Sequence, residues 1–463
     1  MKGHNLWSYS PYRPILTDVG DIYICRVAPT ATAIHLEWLD TGDPDYTVFC
    51  RERYQGEFIV CGITTGTEFD ITGLTTDKDY EFYLCAGSKK SRIRLARCAE
   101  AVGIVVNYLH PEDEAYAFSG RSLCSPCLVH HPDGYLLSSM DVFSGHHPQN
   151  LTLIFRSDDD GQTWHYVSEL MPCFWGKLFI HKNELYMIAA STEYGDLLIG
   201  KSIDGGKTFS APVTLLRGSN GKNGNCGVHR YPQNHMYYNG RLYEPLEWGS
   251  WANTDYYHAA MMMSCDENAD LLNPENWHFT EPVKFDPNWE GTADGLSKGT
   301  IEGTLCVDPQ GQLRSIMRYN ITQGTPAYGL VLNYRINTQD PDAPLEYSHA
   351  VKLPGNNSKF MIRFDPASGK YYTIISRIYS EEKIHARNLL SLMVSDDLET
   401  WTLVQDLIDA RDQDHALVGF QYVFFDIVGN DILFLCRTSM NGAKNYHDAN
   451  YQTFHRIQNF RDL

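Results

Sequence analysis

Residues 157–164 read Ser-Asp-Asp-Asp-Gly-Gln-Thr-Trp, and the stretch returns as Ser-Ile-Asp-Gly-Gly-Lys-Thr-Phe at 202–209 and, shortened, as Ser-Asp-Asp-Leu-Glu-Thr-Trp at 395–401. This is the chemistry of a tight turn. Asp caps nearby backbone N–H groups, Gly takes a positive φ, and Thr and the aromatic re-enter a strand and pack inward. A turn used three times implies that its flanking strands are repeated too. The turn is read as structural, not catalytic.

A second pattern recurs around these turns: a strand, a turn centred on Gly or Asn, then an apolar strand. Its turns fall at Gly134, Asn183, Gly240, Gly311, Gly369 and Gly429-Asn430, roughly 50–70 residues apart. Each interval fits one four-stranded sheet, and six copies imply a six-bladed β-propeller over residues 115–463. The Asp-containing turns follow the first, second and fifth copies.

Residues 20–105 read differently. Short β-runs at 22–27, 34–38, 46–51, 58–63, 68–71, 80–86 and 91–97 predict a seven-stranded β-sandwich, with Trp38 as its core tryptophan. Residues 99–114 read as a linker, so the whole chain is expected to be all-β with two domains.

Composition narrows the partners. A net charge of −19 argues against nucleic acid and anionic membrane surfaces. No apolar run is long enough to span a bilayer. The N-terminal residues lack the apolar core and cleavage site of a signal peptide, so a cytoplasmic location is expected, or a secreted one if a leader has been removed. Twelve cysteines without a framework spacing favour free thiols, and neither Cys124-Ser-Pro-Cys127 nor any His/Cys/Glu spacing argues for a metal or other cofactor. Aromatic residues make up 13% of the chain and suit stacking against sugar rings.

In a propeller the innermost strand of each sheet lines the axis and the next runs back beside it, so spacing alone places side chains on one rim. Seven residues past each turn stand Asp141, Ala190, Glu247, Arg318, Ser376 and Arg437. Nine before each turn stand Ser125, Phe174, Tyr231, Glu302, Phe360 and Gln421, flanked by Arg121, Trp175, His229, Arg230 and Tyr422. Cationic, acidic and aromatic groups at one channel mouth suit an oligosaccharide. The loop 141–148 adds His146 and His147, and His447 lies in a polar segment near the C-terminus; both loops are candidates to border the site.

The pattern Ser-x-Asp-x-Gly-x-Thr-Trp resembles the Asp-box (BNR repeat) of sialidase-like β-propellers among bacterial carbohydrate-active enzymes. Leu74-Thr-Thr-Asp-Lys-Asp-Tyr80 resembles the tyrosine corner of fibronectin type III domains, in which the Tyr hydroxyl ties back to the backbone. The sialidase resemblance implies an exo-acting glycoside hydrolase removing a terminal, acidic sugar. It gives Glu302 and Tyr422 as the nucleophilic pair, Arg318 and Arg387 as carboxylate ligands, and Asp141 or a loop His as acid/base. One arginine of the family is missing: Cys124-Ser-Pro126 stands where sialidases open with Arg-Ile-Pro, and Arg121 lies three residues too early. That departure keeps two alternatives open: a lyase running β-elimination on a uronic acid with His146 or His147 and Tyr422, and a non-catalytic glycan-binding protein.

Overall fold

A computed structural model describes residue 7 and residues 20–145, 147–219, 224–253, 257–292, 296–323, 329–355 and 357–463. The chain is all-β and its named sheets are antiparallel; among the described residues only three-residue 3-10 turns are helical, and no helix is long and apolar enough to cross a membrane.

The N-terminal part forms two sheets. Ile24–Pro29, Ala33–Trp38 and Glu68–Thr72 make one; Tyr46–Glu52, Ile59–Thr64, Lys78–Ala86, Lys89–Lys90 and Arg94–Cys98 make the other. Alternation buries Ile34, Leu36 and Trp38 from the first and Val48, Phe82 and Leu84 from the second. The backbone N–H of Thr75 donates to the Tyr80 hydroxyl at 2.8 Å, fixing the turn before that strand.

Six sheets follow, each a meander starting from its own first strand. The first comprises Ser122–His130, Leu136–Phe143, Leu151–Ser157 and His165–Leu170; the second, Phe174–His181, Glu184–Ala190, Leu197–Ser202 and Val213–Leu216. In the third, Gly227–His229 and Met236–Tyr238 both pair with Arg241–Gly249, which is followed by His258–Asp266 and Trp277–Phe279. The fourth holds Leu296–Val307, Leu313–Gln323, Leu330–Arg335 and Glu346–Lys352; the fifth, Ile362–Asp365, Lys370–Ser376, Leu389–Ser395 and Thr402–Asp409. The sixth has Gly419–Val428, Asp431–Ser439 and Tyr451–Ile457, and its outer strand is Ile104–Tyr108. Residues read as a linker therefore complete the last sheet.

The first strand of the first sheet packs against the first two strands of the sixth, closing the series into a ring. The two-sheet unit is fastened to this ring. Arg26 Nε donates to the Val106 carbonyl at 2.8 Å, Tyr23 donates to Glu169 at 2.8 Å, and the buried Arg94–Asp113 pair closes at 2.7 Å.

The repeated Asp-containing turns join the third and fourth strands of their sheets, and their hydrogen bonds repeat with them. The Gly161 N–H donates to Ser157 Oγ at 2.8 Å, Thr163 N–H to Asp159 Oδ1 at 2.8 Å, and Trp164 is fully buried. The second copy uses Gly206, Ser202, Thr208 and Asp204 at 2.9 Å, with Phe209 buried. In the third, Leu398 and Thr400 N–H groups reach Ser395 and Asp397 at 2.9 and 2.7 Å.

Candidate functional site

The first strands of four sheets carry the same irregularity. Register breaks between Cys124 and Cys127, Phe174 and Lys177, Ile301 and Thr304, and Gln421 and Phe424, where three residues step against two on the neighbouring strand. These are β-bulges with one extra residue. Each contains a non-glycine residue in the left-handed region: Ser125 (φ 55°), Trp175 (53°), Glu302 (59°) and Tyr422 (55°). Such conformations cost about 1–3 kcal/mol each and persist only where the surroundings enforce them. Four equivalent positions carry the strain, and Trp175, Glu302 and Tyr422 turn into one cavity as a result.

That cavity encloses about 560 Å³ and takes residues from the strands of the first, second, third, fourth and sixth sheets, from Arg387 just before the third strand of the fifth, and from loops. On the side of the fourth to sixth sheets, Arg318 is the hub. Its Nη1 donates to Glu302 Oε2 at 2.7 Å and to the Tyr422 hydroxyl at 3.1 Å; Nε reaches Asn357 at 2.8 Å and Nη2 reaches Asn320 at 3.1 Å. Burial works against the Arg318 charge, but Glu302 and Tyr422 more than offset it and hold its pKa above the usual value. Arg387 lies 5.5 Å from the Tyr422 ring and hydrogen-bonds Gln421, and burial pulls its pKa down. Arg437 lies 4.9 Å from the same ring. It donates through Nη2 to the His447 carbonyl at 2.5 Å, and among the described residues its Nε and Nη1 have no partner. His447, half-buried beside Arg437, is pushed down to about 3 by desolvation and by that charge and is neutral at physiological pH.

The opposite side is aromatic. Trp175 and His229 meet edge to face at 4.5 Å, and His229 Nδ1 bonds Glu247 Oε2 at 2.7 Å, leaving the other ring nitrogen for the cavity. The Trp251 N–H donates to the Tyr194 hydroxyl at 3.1 Å, tying the loops that leave the second and third sheets. Glu193, on the first of those loops, receives Gln149 Nε2 at 2.9 Å.

The predicted residues divide accordingly. Glu302, Arg318, Arg387, Tyr422, Arg437, His447, Trp175, His229 and His147 line the cavity. Asp141 and Glu247 do not; they lie fully buried and support residues that do. Asp141 accepts the Trp175 and Gly176 N–H groups at 2.8 and 3.3 Å and the Thr152 hydroxyl, while burial pushes its pKa up to about 7. Arg121 falls outside the cavity, half-exposed and paired with Glu114 at 2.8 Å. Arg230 is buried away from the cavity, donating to Glu244 at 2.6 Å and to the Trp175 and Ile188 carbonyls. His146 lies outside the described residues. Tyr422 stands one position past the nine-residue count because the hairpin that follows its strand has a two-residue loop, where that after Glu302 has five.

Sequence reasoning missed Phe143, Glu193, Tyr194 and Trp251. The last three lie on loops past the strand ends Ala190 and Gly249, beyond the seven-residue count; the clusters Thr-Glu-Tyr and Ser-Trp are the signal a longer count would have caught.

All twelve cysteines are free. Among the described residues one group could hold a metal ion: His35, Glu37 and Glu68, away from the cavity, with donor atoms within 4.8 Å of one another. Arg26 already neutralises Glu37 at 2.8 Å.

No family model matches the chain, and no curated protein matches its sequence. Solved structures do. An α-L-arabinanase of Penicillium chrysogenum, complexed with arabinobiose, is 15% identical with a TM-score of 0.51, covering 78% of this chain and 99% of its own. A Hadza microbial sialidase is 14% identical with a TM-score of 0.50, covering 98% of both chains. A polysaccharide lyase of the ulvan-lyase type is 12% identical at a TM-score of 0.44, covering 94% of both. At these identities the likeness is one of fold, and what this chain has in common with the first two is a propeller-like all-β architecture.

Proposed function

We propose that the protein is a carbohydrate-active enzyme on a six-bladed propeller, residues 115–463 with Ile104–Tyr108 as a closing strand, preceded by a fibronectin type III-like sandwich. Its reaction in this reading is the sialidase-like, exo-acting hydrolysis of a terminal acidic sugar. The observation that carries it is Tyr422, ringed by three guanidiniums and joined to Glu302 through Arg318 Nη1.

The roles follow from the free donors. Arg318 spends most of its hydrogen bonds on Glu302, Tyr422 and two asparagines, so it chiefly organises the reacting pair. Arg437, whose Nη1 has no partner among the described residues, and Arg387 receive the substrate carboxylate. Arg437 pairs with Gln421 beside the sixth-sheet bulge and neighbours Cys124, so it supplies charge where the first strand has none. Glu302 takes the phenol proton as Tyr422 attacks the anomeric carbon, and the rings of Trp175 and Trp251 hold the sugar and whatever it is attached to.

The Glu247-supported His229 favours a second reading, β-elimination on a uronic acid. A panel of aryl sialosides, glucuronides and rhamnosides separates the two. Hydrolysis releases the aryl group and an intact acidic sugar, while elimination creates new ultraviolet absorbance from a conjugated double bond. Binding of glycans without turnover, unchanged in Glu302→Gln, would overturn both in favour of a lectin.

A further inference from the structure

Hydrolysis of this kind requires a proton donor for the departing oxygen, and the carboxylates around the cavity differ sharply in their partners. Glu302 is paired with Arg318 at 2.7 Å, Glu247 with His229 at 2.7 Å, and Glu244 with Lys177 and Arg230 at 2.6 Å. Each of these carboxylates is already engaged by a basic side chain. Asp141 has backbone and hydroxyl donors and no opening to the cavity.

Glu193 is different in each respect. It lines the cavity, its Oε2 is held by an uncharged amide, Gln149 Nε2 at 2.9 Å, and its Oε1 has no partner among the described residues. Its loop is set firmly. Ser191 N–H donates to the Asp196 carbonyl at 2.8 Å, Gly195 N–H to Thr192 at 2.9 Å, and the Thr192 hydroxyl reaches the Pro148 carbonyl. The neighbouring loop carries Gln149, so the two loops hold the carboxyl between them. Burial raises its pKa, opposed by His229 and Gln149.

We infer that Glu193 is the general acid/base of the site, a role resting on the hydrolytic reading above. In the first step the glycosidic C–O bond breaks, its electron pair goes to the leaving oxygen, and the Glu193 proton goes to that oxygen; the Tyr422 oxygen, having given its proton to Glu302, bonds to the anomeric carbon. In the second step water attacks that carbon, its proton goes to Glu193, and the bond to Tyr422 breaks with return of the proton from Glu302.

The test compares wild type and Glu193→Gln on two glycosides of the acidic sugar that the panel identifies, one with a phenol and one with a dinitrophenol leaving group. Glu193→Gln is expected to lose roughly 10²–10⁴-fold in kcat/KM on the phenyl glycoside and less than about tenfold on the dinitrophenyl glycoside, which departs without a proton. The alkaline limb of the phenyl-glycoside pH profile disappears in the variant. Equal losses on both substrates, or full activity on the phenyl glycoside, overturn the assignment. Absence of wild-type turnover on the whole panel instead overturns the hydrolytic reading and the acid role with it, so the two failures are distinguishable.

Discussion

Equivalent positions on the two sides of the cavity carry opposite charge. Cys124 pairs with Asp141 and His229 with Glu247 on the first and third sheets; Ile301 pairs with Arg318 and Gln421 with Arg437 on the fourth and sixth. The short carboxylates stay below the surface and hold what stands above them: the Trp175 backbone over Asp141, the His229 ring over Glu247. The longer arginines reach the cavity and bring their charge to it. One register, occupied by side chains of different length and sign, builds an aromatic wall and a cationic wall. The aromatic wall is completed by Tyr194 and Trp251 from loops, while two of the three guanidiniums of the cationic wall, Arg318 and Arg437, sit on strands and Arg387 lies just before one.

The largest expected effect tests the cationic wall. Arg318→Ala removes the hub of Glu302, Tyr422, Asn320 and Asn357 and leaves Glu302 buried without its cation. A fall of about 10³-fold or more in kcat/KM on the acidic substrate is expected. Arg318→Lys should recover little, because one ammonium cannot reproduce the fork. Unchanged activity of Arg318→Ala would erase the distinction between the walls.

The aromatic wall should yield a smaller effect of another kind. Trp251 is 39% exposed and contributes a face to the cavity. Trp251→Ala is expected to raise KM about tenfold with kcat retained, the mark of lost stacking. A fall in kcat matching that of Arg318→Ala would mean that both walls carry chemistry.

The smallest effect is on stability and belongs to the supporting layer. Asp141 has a folded pKa of about 7, above its unfolded value, so its protonated form is favoured on folding. Its contribution is therefore fully present below about pH 4, is lost as pH rises toward 7, and is flat beyond that, with a slope of at most one proton, or about 1.4 kcal/mol per pH unit. In Asp141→Asn that slope should vanish from denaturant midpoints measured across pH 4–8, although absolute stability drops because one oxygen replaces two facing several donors.

Legibility in the sequence tracked the range of the interactions involved. The turns at 157–164 and 202–209 were readable because their hydrogen bonds run within a few residues, from Ser157 and Asp159 to Gly161 and Thr163. Positions counted forward from a turn were sound where no residue is inserted, so Arg318 and Arg437 fell in place. Positions counted backward landed on the bulge residue where the hairpin loop has five residues, at Ser125 and Glu302, and one short of it where the loop has two, so Trp175 and Tyr422 came out displaced by one. Arg121 and Arg230 carry the right charge on the wrong course: each found a carboxylate, Glu114 and Glu244, away from the cavity. The closing strand Ile104–Tyr108 pairs with Tyr451–Ile457 across most of the chain, a partner that alternation alone does not reveal.

The central claim is that the arginine-ringed Tyr422 attacks the sugar, and the most direct test is to trap that bond. Incubation with an activated fluorosugar of the acidic substrate that the panel identifies, followed by peptide mass spectrometry, should place a glycosyl adduct on Tyr422 that is absent from Tyr422→Phe. An adduct on another residue, or wild-type turnover by Tyr422→Phe, would contradict the account.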